Sequence, residues 1–142
     1  MPVDEARGSA NLRRMVEVTI RVRWADMDAY GHVNNAVYLN YLEEARDQLS
    51  VALFGEAAYD IVVAHVGIDF KDEVTQDDGE VRVTSELVGY GTSSVRTREV
   101  VHKTDGTVAA VGECVLVARD QVTKRSRPLT ESERAAMDAA LA

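Results

Sequence analysis

Twelve residues near the N-terminus gather most of the chain's reactive side-chain types: Trp24-Ala25-Asp26-Met27-Asp28-Ala29-Tyr30-Gly31-His32-Val33-Asn34-Asn35. Two carboxylates, an imidazole, a glycine and two amides in so short a run suit either ligation or acyl chemistry. A calcium loop would use Asp26, Asp28 and Gly31 at its first, third and sixth positions. It then fails, because the fifth position is Tyr30 and the twelfth, where a bidentate glutamate belongs, is Val37. A zinc site on Asp26, Asp28 and His32 lacks a second nearby histidine. The chemistry left is that of a carboxylate set before a helix. The first turn of a helix offers unpaired backbone N–H groups and a positive dipole end, which together stabilise an oxyanion forming on a carbonyl. A carboxylate facing that end can attack the carbonyl carbon or activate water. An activated acyl group such as a thioester needs no stronger nucleophile.

The flanking elements fit that arrangement. Val16, Val18, Ile20, Val22 and Trp24 alternate with Glu17, Thr19, Arg21 and Arg23, which predicts a half-buried strand over 16–24 with Trp24 on its inner face. After the turn the period changes. Tyr38, Tyr41, Leu42, Ala45, Leu49, Ala52 and Leu53 form the stripe of a long helix, with Asn34 or Asn35 as its N-cap and Gly55 at its end. The rest reads mainly as strand: 59–70, 81–88, 95–103 and 107–119, with turns at Asp77-Asp78-Gly79, Gly89 to Ser94 and Asp105-Gly106. Thr130 and Glu133 make a capping box for a short closing helix. One long helix on a mainly antiparallel sheet is an α+β architecture. The strand at 107–119 is apolar on both faces, which implies a second covering surface, most simply another subunit. Residues 1–14 are expected to be a flexible lead-in and residues 15–142 one domain.

An Asp-x-Asp after a strand is similar to the motif of haloacid-dehalogenase phosphatases. Those enzymes need a fully buried parallel strand in a larger doubly wound domain, whereas this strand alternates. A more specific resemblance lies in Asp26-x-Asp28-x-x-Gly31-His32-Val33-Asn34-Asn35 followed by Tyr38-x-x-Tyr41-x-Glu43-x-Ala45-Arg46. That series resembles the signature of hotdog-fold acyl-CoA thioesterases, in the 4-hydroxybenzoyl-CoA thioesterase-like branch, and the resemblance runs from Met15 to Arg127. It implies a long helix wrapped by a curved antiparallel sheet of about five strands, paired edge to edge with a second subunit, and active sites at the subunit interface. It implies that Asp28 is the catalytic nucleophile or general base and that the Asn35 backbone N–H polarises the thioester carbonyl. Gly31, His32, Val33 and Asn34 would line the substrate, and Asp26 would be structural. In relatives that act on aromatic acyl groups, basic residues near the turn between the third and fourth strands meet the coenzyme A phosphates. Here that turn offers the hydroxyls of Thr92, Ser93 and Ser94, with Arg96 beyond, which leaves coenzyme A and acyl-carrier-protein thioesters both open.

Other residues carry plainer expectations. Tyr38 and Tyr41 belong to the core, and His65 to the core or an interface. Glu43 would pair with Arg46, although another hotdog branch places its catalytic carboxylate on this helix. Lys124, Arg125 and Arg127 read as a solvated segment that could otherwise form a basic patch.

Composition narrows the function classes. Sixteen basic and 24 acidic residues in 142 give a formal charge of −8, unsuited to nucleic acid or to a polybasic membrane anchor. The lone Cys114 cannot form an internal disulfide and suits a reducing, cytoplasmic setting. Neither a cofactor nor a metal is called for. The expectation is a homodimer or homotetramer that hydrolyses a small-molecule acyl thioester. The alternative is a hotdog module that binds acyl-CoA without turning it over, which would have no need of an intact Asp28-to-Asn35 turn.

Overall fold

A computed structural model describes residues 14–142, so the expected lead-in lies, apart from Arg14, outside the described residues. Strand β1 (Met15–Arg21) leads through the reactive turn to helix α1 (Asn35–Phe54). Strands β2 (Ile61–Phe70), β3 (Glu80–Tyr90), β4 (Ser94–Lys103) and β5 (Val108–Ala118) follow, and helix α2 (Glu131–Leu141) closes the chain. The strands form one sheet in the order β1-β3-β4-β5-β2, antiparallel at every pairing. Both β1 and β2 are therefore edge strands. The expected fold class stands: one long helix on a five-stranded antiparallel sheet, as in a hotdog fold.

Helix α1 packs one face against the sheet, burying Tyr38, Tyr41, Leu42, Ala45, Arg46, Leu49 and Leu53. Its approach is close because β5 carries Gly112 beneath it. A Cβ there would stand 2.6 Å from Leu42 Cδ1, so any larger residue would collide with the buried Leu42 side chain. The core divides into two apolar clusters. One, at the N-terminal end of α1, holds Tyr38, Tyr41, Leu42, Val74, Val83 and Val101. The other, at its C-terminal end, holds Leu49, Leu53, Leu87, Val95, Cys114 and Met137. Between them lies a buried polar seam of Arg46, Ser85, Thr97 and Glu99.

One local expectation is corrected and a second is narrowed. The first strand stops at Arg21, and Trp24 is 78% exposed instead of facing inward. The cause is Asp26, whose carboxylate accepts the Arg23 N–H at 2.9 Å and winds residues 24–26 into a 3₁₀ turn that breaks the two-residue period. The second concerns His65, which lies outside the core, exposed on the sheet face opposite α1 beyond a register shift between Val63 and His65, so that only the interface half of its expectation stands open.

Candidate active site

The turn between β1 and α1 is built around its two carboxylates, which have different surroundings. Asp26 is 1% exposed. It accepts hydrogen bonds from the Arg23 N–H, from Arg23 Nε at 3.1 Å and Nη2 at 2.9 Å, and from the Tyr41 hydroxyl at 2.7 Å. Burial pushes its carboxyl upward, but the Arg23 backbone N–H, the Arg23 guanidinium and the Tyr41 hydroxyl together hold it below the ordinary aspartate value. Since Tyr41 stands on α1, Asp26 ties the turn to the helix, and the Asn34 N–H adds a 2.9 Å bond to the Asp26 carbonyl. Asp26 is thus the structural member of the pair.

Asp28 is half-buried and lightly held. Its Oδ1 accepts the Tyr30 N–H at 2.9 Å and its Oδ2 accepts Asn34 Nδ2 at 3.3 Å. The turn around it is closed by Gly31 N–H donating to the Asp28 carbonyl and by Asp28 N–H donating to the His32 carbonyl, each at 3.1 Å. Gly31 sits at φ +83°, in the left-handed region that side chains with a Cβ rarely adopt. Space around it is open, so backbone conformation is what calls for glycine here.

The start of α1 leaves the Asn35 N–H free. Asn34 caps the helix, its Oδ1 accepting the Ala36 N–H at 2.9 Å, while its carbonyl accepts the Val37 N–H at 2.9 Å. The Asn34 N–H is spent on Asp26. Among the described residues, the Asn35 N–H has no acceptor, and Asn35 is exposed. Asn34 also donates to Asp28, so a single amide links the lightly held carboxylate to the residue before the free N–H. A carboxylate beside an unpaired helix N–H can attack a carbonyl, or activate water toward it, while the N–H receives the developing negative charge.

Among the other residues singled out in the turn, His32 is half-buried, with Nδ1 3.3 Å from the Val33 carbonyl and its ring stacked on that of Tyr30. Val33 is 1% exposed and packs in the core, its N–H bonded to the Val74 carbonyl at 2.7 Å. Thr92, Ser93 and Ser94 lie elsewhere. Their turn is held by the Ala118 and Leu129 N–H groups, beside α2. Strand β4 runs from there toward Lys103, which meets Asp72 and Asp78 near the Asp28 end. Nine residue steps at about 3.3 Å separate the two ends by roughly 30 Å. Arg96 stands on the sheet face opposite α1. Within one protomer these residues are not brought together with Asp28.

Tyr38 and Tyr41 are core residues, 3% and 4% exposed. The expected Glu43–Arg46 pair does not form. Glu43 is exposed, whereas Arg46 turns inward to 3.9 Å from Glu99 Oε1. Sequence reasoning misses this buried pair although its signal is there. Arg46 falls on the apolar stripe of the helix, between Leu42 and Leu49. Glu99 shares the buried phase of its strand with Val95, Thr97 and Val101. Among the described residues, no group of three or more His, Cys, Asp or Glu is placed to hold a metal ion.

With this geometry in view, comparison with known proteins gives consistent results. A family model described as the thioesterase-like superfamily matches residues 22–141. The chain is 32% identical over 120 residues to the long-chain acyl-CoA thioesterase FadM of Escherichia coli (strain K12), covering 80% of this chain and 90% of that one. It is similar to the crystal structure of a thioesterase from Thermus thermophilus complexed with coenzyme A and zinc: 35% identity, TM-score 0.80, covering 88% of this chain and 92% of that one. A structure of the thioesterase superfamily from Jannaschia sp. CCS1 shares the fold at 21% identity and TM-score 0.78, covering 87% of this chain and 90% of that one.

Proposed function

The chain belongs to the thioesterase-like superfamily, and we propose that it hydrolyses an acyl-coenzyme A thioester to free acid and thiol at the turn before α1. The observation that carries this reading is the pairing of a lightly held carboxylate, Asp28, with a free N–H of the helix start, at Asn35. Asp28 serves as nucleophile or as general base. As nucleophile it forms an acyl anhydride, the thiolate leaves, and water cleaves the anhydride to return the carboxylate. As general base it takes a proton from water, the hydroxide adds to the carbonyl, and the proton follows the departing thiolate. On either route the Asn35 N–H meets the oxyanion of the tetrahedral intermediate. Gly31 fixes the shape of the turn, and Asn34 and His32 orient it toward substrate.

The active unit is a pair of chains. Strand β2 is an edge strand of ten residues with Val63, Phe70 and, just before it, Tyr59 exposed. A long edge of this kind favours pairing with a second strand. Antiparallel pairing of β2 with its own copy sets the Ile61 end of one chain beside the Phe70 end of the other. Phe70 packs edge-on against Tyr38, in the first turn of α1, with ring centroids 5.1 Å apart. The pairing therefore carries the Thr92–Ser94 turn of each chain toward the Asp28 of the other, where its hydroxyls can meet the coenzyme A phosphates. No helix among the described residues is long and apolar enough to cross a membrane. A cytoplasmic site of action belongs to the same proposal, on the strength of the unpaired, buried Cys114.

The test is thiol release from a panel of acyl-CoA and acyl-carrier-protein thioesters by the full chain and by Asp28→Asn. Removing a positioned base or nucleophile is expected to lower the rate on acyl-CoA by about 10²- to 10⁴-fold. An Asp28→Asn chain that keeps the full rate, or a chain that cleaves only carrier-protein thioesters, overturns the reading.

A further inference from the structure

We propose that Lys103, at the end of β4, is a positioning residue for the Asp28 turn and acts through the loop of residues 71–79. The segment between β1 and α1 hangs on that loop at both of its ends. At one end the Val22 N–H donates to the Gly79 carbonyl at 2.9 Å, and at the other the Val33 N–H donates to the Val74 carbonyl at 2.7 Å. Val22, Val33 and Val74 all lie in one core cluster. Val33 stands one residue before Asn34, whose side chain donates to Asp28, and two before the free N–H of Asn35. A shift of the loop at Val74 therefore passes through a single backbone bond to the groups that do the chemistry.

The loop is made of two local turns with Val74 between them. Asp72 Oδ1 accepts the Glu73 N–H at 2.9 Å, and Asp78 Oδ2 accepts the Thr75 N–H at 2.7 Å. Each carboxylate thus shapes its own turn with one oxygen and presents the other to the same ammonium. Lys103 Nζ is 3.6 Å from Asp72 Oδ2 and 3.5 Å from Asp78 Oδ1. Among the described residues, no other basic side chain comes within 4.0 Å of either acid. Lys103 itself pairs with Val81 in the sheet, so its stem starts from a fixed point. One cation therefore clips both turns together around Val74. Charge pairs open to solvent add little to stability, whereas a misplacement of about 1 Å at reacting groups can cost about 10²-fold in rate. The clip matters far more to turnover than to folding.

The test pairs turnover with amide hydrogen exchange on the full chain. Lys103→Met is expected to lower kcat on acyl-CoA by about 10- to 100-fold with KM little changed. It is also expected to speed exchange of the Val33 N–H while the amides of the β4–β5 pairing keep their protection. Asp72→Asn, which cuts one arm of the clip and can keep its own turn, should fall between Lys103→Met and wild type. Lys103→Arg, which keeps the charge, should recover most of the rate. A Lys103→Met chain with full kcat and a raised KM overturns the clip, because Lys103 would then only offset the repulsion of an anionic substrate by the acidic loop. Unchanged Val33 exchange, a loss of protection throughout the sheet, or an arginine variant as slow as the methionine one also overturns it. The kinetic arm rests on the proposed thioester hydrolysis. A wild type that cleaves no thioester overturns that reading, and Val33 exchange still decides the clip.

Discussion

Two buried carboxylates face α1 from opposite sides of the same problem. Asp26, in the turn before the helix, and Glu99, in the seam beneath its middle, are both essentially inaccessible to solvent, at 1% and 0% exposure. Burial pushes both carboxyls upward. In the turn, a backbone N–H, a guanidinium and a hydroxyl overcome it, and Asp26 ends below its ordinary value. In the seam, Thr97 Oγ1 at 2.7 Å and Ser85 Oγ at 3.0 Å both donate to Glu99 Oε1, and Arg46 also stands closest to that oxygen. Oε2 has no partner, nor do Nε and Nη1 of Arg46. Glu99 accordingly ends above its ordinary value. The difference teaches that depth does not set the charge of a buried acid. The number and placement of its donors does. It also separates two uses of polarity: the turn is a braced platform for Asp28, and the seam is an unfinished contact between two apolar clusters.

The sharpest way to break this contrast is to cut the seam. Arg46→Met removes the cation and leaves Glu99 buried with two hydroxyl donors. Breaking a buried pair in this way typically costs about 3–5 kcal/mol. Arg46→Met together with Glu99→Leu removes both members, and most of that loss is expected to return. Urea unfolding at a fixed protein concentration measures the cycle. If the double variant is no more stable than the single one, the seam is a well-made ion pair and the contrast with the turn fails.

A smaller loss is expected in the turn. Tyr41→Phe deletes one of Asp26's donors but leaves the Arg23 contacts, so a hydrogen bond to a charged group is lost without isolating the charge, at a cost of about 1.5–3 kcal/mol. Because Tyr41 links the turn to α1, the rate of thioester hydrolysis is expected to fall more than the rate in an Arg46→Met chain assayed under conditions where both remain folded. Equal rates would mean that Asp26 does not brace Asp28 through Tyr41.

Much of this is legible in the chain itself, because the determining signals are local. The cap at Asn34, the stripe from Tyr38 to Leu53, the Thr130–Glu133 box and the Asp105-Gly106 turn all act within a few residues, and the structure has each of them, except that Ala52 of the expected stripe is exposed. Asp26 and Asp28 sit two apart, yet their division of labour depends on Tyr41, fifteen residues beyond Asp26. Arg46 defeats local reasoning for a related cause. A charge on a helix pairs by default with a neighbour such as Glu43, whereas its partner Glu99 is supplied by a distant strand that only the sheet order brings beneath it. Trp24 shows the reverse failure, a clean period of two overridden by one carboxylate capping its own turn.

The smallest expected effect is a difference in pH dependence, and it tests the contrast at its root. Asp26 is depressed in the folded chain, so it contributes stability that is present above the unfolded aspartate value of about 3.9 and is lost as pH falls through its lower folded value. Glu99 is raised, so its contribution is fully present below the unfolded glutamate value of about 4.3 and is lost as pH rises through its folded value. A single group can tilt stability by no more than about 1.4 kcal/mol per pH unit. Against wild type, Asp26→Asn should therefore show a deficit that is widest near neutrality and narrows in acid below about pH 3.9. Glu99→Gln should move the other way, gaining on wild type as pH climbs above about 4.3, because the amide has no proton to lose where wild type must ionise a group short of donors. Urea midpoints for the three chains between pH 3 and pH 8 decide it. Two curves that tilt in the same direction would mean that burial, not partners, governs both acids, and the distinction between platform and seam would collapse.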